Sequence, residues 1–135
     1  MTSQGTEPEF EKDVTAESED DFANLNDFLL FDANIPNQDI EYLGSDKVKQ
    51  LAQLFCQQLK SEYSDFSNLS TNQQQQKLHK LKGAAIGLGL VRLHLLCHQL
   101  EVNCQNKKLN NHQLLMLQDL TAKSIIVLNK YSLSL

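Results

Sequence analysis

The chain has no tryptophan, two prolines and three cysteines in 135 residues. Cys56, Cys97 and Cys104 are odd in number, form no C-x-x-C pair and lie inside apolar patterns. They read as reduced core thiols. No apolar run approaches the ~20 residues that span a bilayer, and the first residues lack the basic-then-apolar order of a secretory signal. These absences point to a cytoplasmic protein without membrane insertion. No segment alternates as a strand. A glycine-rich ATP loop and a D-x-D-type metal cluster are also missing, so no kinase activity is expected of the chain itself. Its lysines are scattered, without the aromatic platform or arginine cluster of a nucleic-acid surface, which excludes nucleic acid as the expected partner.

The charge is unevenly spread. Residues 1–42 hold twelve acids and one base (Lys12), net −11, whereas residues 43–135 hold five acids and eleven bases, net +6. Residues 1–30 are expected to form an acidic, flexible tail or linker with one possible short helix near 22–31. Residues 31–135 form the folded body, and its positive charge suits an anionic partner.

Within that body the apolar residues repeat at three- and four-residue spacing. Pro36 suits the first position of a short helix that runs to about Leu43 before Gly44 ends it. Val48, Leu51, Phe55, Leu59, Tyr63 and Phe66 predict a long helix over about 46–66, with Ser45 before it. Thr71 followed by Gln74 has the pattern of a capping box. The helix after it, about 72–87, carries Leu78, Leu81, Ala85 and Leu88, and the glutamines at 73–76 read as its solvated first turn. A third stripe, Leu90, Leu93, Leu96, Cys97, Leu100 and Cys104, ends near Asn106. Asn110 or Asn111 caps a last helix to about 131. The expected fold is all-α, an antiparallel four-helix bundle with short N-terminal helical pieces.

One stretch does not fit a purely structural reading. In HKLKGAAIGLGL (79–90), the core stripe of the helix centres about 140° away from His79, at 100° per residue. Lys82, Gly83 and Ile86 fall within about 60° of His79. Glycine in a helix interior costs ~1 kcal/mol against alanine, and on an exposed face that cost brings no packing. Clearance for an approaching molecule is the gain it offers. An exposed imidazole with an unperturbed pKa of ~6.5 is a competent nucleophile near neutral pH. A neighbouring lysine can steady the spread negative charge of a phosphoryl group in transfer.

His79-x-x-Lys82-Gly83 with Gly89 beyond it resembles the signature of histidine-containing phosphotransfer (HPt) domains. The likeness extends over residues 33–131, through EYLGSDKVKQLAQLF (41–55) and LHLLCHQLE (93–101). It is nearest to the HPt domains at the C-termini of bacterial hybrid sensor kinases of the anaerobic-respiration type. The resemblance implies a four-helix bundle, with His79 as the phosphorylated residue in a phosphorelay. The partners it implies are receiver domains of response regulators and, where the chain is a domain of one, a hybrid sensor kinase. It also implies that Glu101 accepts a hydrogen bond from the second ring nitrogen of His79. Ile86 and Lys80 are then the candidate docking residues. The chain would be a monomer needing no cofactor, the Mg²⁺ of the reaction belonging to the receiver.

Three blander readings compete. A lone histidine on a helix is most often a surface residue, and the neighbours of His79 are what distinguish it. His94 and His98 stand i, i+4 with Cys97 between them, which suggests a metal site, but Cys97 lies on the core stripe and no fourth ligand is evident beyond Glu101. Gly87 and Gly89 can simply end one helix and begin the next. A non-catalytic helical adaptor that binds receiver domains without carrying phosphate is the alternative function.

Overall fold

The computed structural model describes residues 24–135, and among these residues all regular structure is helical. Of the tail expected over residues 1–30, residues 1–23 lie outside the described residues, and residues 24–30 are described, with Leu25 in the core. Five α-helices follow a 3₁₀ turn at Asn24–Asp27: α1 (Asn34–Leu43), α2 (Ser45–Glu62), α3 (Thr71–Gly87), α4 (Val91–Asn103) and α5 (Asn111–Leu133). A second 3₁₀ turn, Phe66–Asn68, bridges α2 and α3. The most extensive contact joins α3 to α4; α2 packs on α5, α1 on α2, and α5 on α4. No described helix is long and apolar enough to cross a membrane.

The core is built from one stripe per helix: Ala52, Phe55, Cys56 and Leu59 of α2, Leu78, Leu81 and Ala85 of α3, Leu93, Leu96, Cys97 and Leu100 of α4, and Leu117, Leu120 and Leu128 of α5. The stripe on α2 is turned by one residue from the sequence expectation. Leu51 is exposed, and Ala52 and Cys56 take the inward positions beside Val48, Phe55 and Leu59. Helix α2 also ends early, at Glu62, with Tyr63 at φ −110° and ψ 4°. Phe66 therefore reaches the core from the short turn that follows, and stacks on Tyr63 at 5.7 Å.

The capping box of α3 sits one residue before the predicted one. Ser70 is the N-cap: its hydroxyl accepts from the Gln73 N–H, and the Gln73 side chain accepts from the Ser70 N–H. That shift frees Gln74, which is fully buried rather than solvated. Its amide donates to the Phe66 carbonyl at 3.0 Å and its oxygen accepts from the Leu109 N–H at 2.9 Å. One side chain thus holds two connecting loops. A buried amide is tolerated because both ends are satisfied. The cap of α5 matches the prediction, with Asn110 and Gln113 bonded reciprocally.

Between α3 and α4 the chain reverses in a Schellman turn. The Leu90 N–H donates to the Ala85 carbonyl and the Gly89 N–H to that of Ile86. Gly89 has φ +84°, and a Cβ there would meet the Asp32 carbonyl oxygen and lie 2.9 Å from Pro36 Cδ. The N-terminal segment is the reason. Asp32 donates to the Gly89 carbonyl at 2.8 Å, Arg92 donates its backbone N–H to Leu29 and its guanidinium to the Phe28 carbonyl, and Leu25 is buried in the core. Residues 25–32 therefore strap the α3–α4 turn. Gly87 is merely the last residue of α3, with open space around it.

Gly89→Ala is expected to destabilise the fold by about 2 kcal/mol or more, since it combines left-handed strain with a backbone clash. Gly87→Ala should leave stability unchanged or raised. Urea midpoints of the two variants check the contrast.

Candidate functional site

The turn at Gly89 sets α3 antiparallel to α4, and the register brings the singled-out residues together. His79 Nδ1 lies 2.9 Å from Glu101 Oε2, and Lys82 Nζ lies 2.8 Å from Glu101 Oε1. One carboxylate therefore bridges the imidazole and the ammonium. Exposure differs sharply among the three: the His79 side chain is 70 % exposed, against 21 % for Lys82 and 18 % for Glu101. The imidazole stands out from a half-sunken ion pair.

The bridge fixes the histidine chemically. A carboxylate only accepts, so the neutral ring carries its proton on Nδ1 and leaves the Nε2 lone pair free. Burial pushes the Glu101 carboxyl up, but the hydrogen bonds from Lys82 and His79, with their charges, outweigh it and hold the group below its ordinary 4.5. Lys82 is thus not a free cation; its ammonium is shared with Glu101.

Gly83 lies beside His79 on the exposed face, and a Cβ built there would meet nothing within 4 Å. Among the described residues nothing requires glycine at this position. Lys80 is exposed nearby, while Ile86 is half-buried rather than standing free on the surface.

His94 enters in a way the sequence did not reveal. Its Nδ1–H donates to the Lys82 carbonyl at 2.9 Å and pins α3 to α4 at the level of the lysine. The only signal was its position seven residues before Glu101, on the same face of α4. His98 lies between them; burial, then the charge of Lys82, holds its imidazole below the usual 6.5. Cys97 points into the core and burial drives its thiol well above the ordinary range. Among the described residues no group of three His, Cys, Asp or Glu side chains is arranged to hold a metal ion.

No protein-family model, curated protein or solved structure matches the chain.

The bridge has a consequence for acid stability. Because the folded carboxyl of Glu101 is depressed, its contribution is complete above the unfolded value near 4.5 and is lost as the pH falls through the folded value. Glu101→Gln should lower the melting temperature at pH 7 and flatten the decline of stability below about pH 4.5. Melting curves of both proteins from pH 3 to pH 7 measure it, and parallel acid limbs would show that the bridge carries no stability.

Proposed function

We propose that this chain is a phosphorelay intermediate of the HPt kind, a four-helix bundle of α2–α5 in which His79 accepts a phosphoryl group from a receiver-domain aspartate and passes it to another. The single observation behind this reading is the His79–Glu101 bond beside Gly83. It leaves a nucleophilic Nε2 facing solvent, with a neighbouring position kept free of any side chain.

The chemistry balances on these groups. Nε2 of the neutral ring attacks the phosphorus of an aspartyl phosphate in line. The N–P bond forms as the P–O bond to the aspartate breaks, and the aspartate leaves as a carboxylate. The ring keeps its Nδ1 proton and becomes a cation, which the Glu101 carboxylate at 2.9 Å offsets. The reverse step returns the phosphoryl group to a second receiver. Lys82 shares its charge between Glu101 and the arriving phosphoryl oxygens. Gly83 lets the receiver loop approach, and Lys80 and the partly exposed Ile86 flank the docking face. The Mg²⁺ that such a transfer uses would be held by the receiver. A cytoplasmic setting follows from this partner.

Incubation with a phosphorylated receiver tests the proposal. Acid-labile, base-stable phosphate should appear on the chain. His79→Gln should abolish it, with stability changed by less than about 0.5 kcal/mol, since the side chain is outside the core. Label that persists in this variant would defeat the site. Receiver binding without any label would instead support the adaptor reading. Gly83 gives an independent check. Gly83→Ala should stabilise the helix by up to ~1 kcal/mol, and Gly83→Gln should slow transfer strongly at undiminished melting temperature. Unimpaired transfer in Gly83→Gln would refute the clearance role.

A further inference from the structure

Helix α5 carries an apolar row on the side turned away from the core. Leu115, Ile126 and Leu133 are 63 %, 61 % and 77 % exposed, and Ala122 is exposed with them. At 100° per residue the four lie within about 40° of one another, so they form one straight stripe along the helix. Three large apolar side chains aligned in water are a different matter from a single exposed leucine, and call for a partner. Their spacing is seven, four and seven residues, which is symmetric about Ser124.

We propose that this stripe is a self-association surface, on which α5 pairs antiparallel with α5 of a second copy about a two-fold axis at the level of Ser124. In that register Leu115 meets Leu133 of the second copy, and Ala122 meets Ile126 of the second copy. Each contact occurs twice, as an isologous interface requires.

Charge selects the antiparallel arrangement. Asp119 and Lys130 lie on the same flank, about 40° and 60° from the stripe. Antiparallel pairing brings Asp119 level with Lys130 of the second copy, at both ends. Parallel two-fold pairing would place the same residues of the two copies on opposite flanks of the seam, so neither Asp119 nor Lys130 would find an opposite charge across it. Asp119 already lies 3.0 Å from Lys123, but both side chains are more than half exposed and the pair can be shared.

A groove gives the apolar contact its depth. Leu59 of α2 and Tyr63 just after it, with Leu114, Leu115, Ala122 and Ile125 of α5, line a cavity of about 550 Å³. Leu133 of the second copy comes over its rim, a knob above a preformed hole. His79 lies on α3, outside this surface, and remains open in both copies. The pairing departs from the monomer that the sequence resemblance implies, and it is independent of whether His79 carries phosphate.

Four apolar residues per copy fall short of the ~800 Å² a side typical of a stable interface. A weak, concentration-dependent dimer is expected, with a Kd between about 10 µM and 1 mM. Sedimentation of the full chain over a concentration series reads it. The wild type should shift from monomer towards dimer mass, and Ile126→Asp should stay monomeric with an unchanged circular-dichroism melt. Asp119→Lys and Lys130→Asp should each weaken the dimer about fivefold or more, and the double variant should restore it. A wild type that remains monomeric to about 1 mM, or a dimer indifferent to Ile126→Asp, would overturn the proposal. A double swap that fails to restore association would overturn the antiparallel register.

Discussion

The register of α3 against α4 is the constraint on which the rest of the structure depends. It is set at Gly89, where a left-handed residue closes the Schellman turn and lets the Asp32 backbone come close. From that pivot the two helices run back side by side. His94 reaches the Lys82 carbonyl, and two further turns along α4 Glu101 reaches both His79 and Lys82. A slip of one residue in either helix would rotate its partner groups by 100° and dissolve the bridge. The conformational freedom of one glycine in a turn therefore positions a carboxylate more than two helical turns away.

The two glycines Gly83 and Gly89 sit in opposite surroundings. Gly89 is needed by the chain's own backbone, because the N-terminal strap occupies the space a Cβ would take. At Gly83 nothing among the described residues would meet a Cβ, and alanine would favour the helix. That contrast rests on the space around each position rather than on helix propensity, and it is why the clearance role proposed for Gly83 is tested separately from its stability.

Polar groups in the interior keep the frame stiff around the site. Gln74 ties the turn after α2 to the loop before α5 through two satisfied bonds, and an unmade bond at either end would cost ~1–3 kcal/mol. Arg92 holds the strap on the other side of the α3–α4 hairpin. Residues near the site are thus carried on helices whose connecting segments are held by hydrogen bonds. The outward face of α5 lies apart from this frame, and its leucines and isoleucine contribute nothing to the core.

Helical content, the stripes of α3 and α4 and a cap at Asn110 or Asn111 were determined by the sequence alone, because a 3.6-residue period and a side-chain cap are local properties. So was the displacement of His79, Lys82 and Gly83 from the core stripe, which needs only the angular step of one helix. The tertiary structure decided what lies between helices. It rotated the α2 stripe from Leu51 to Ala52 and Cys56, since periodicity alone cannot say which flank of a wide stripe a neighbour will cover. It buried Gln74, which reads as solvated until two loops are brought to it. Lys82 emerged as half of an ion pair rather than a free cation, and His94 as the pin between α3 and α4. Those roles depend on residues twelve or more positions apart meeting across a register, and that register exists only once the turn at Gly89 has closed.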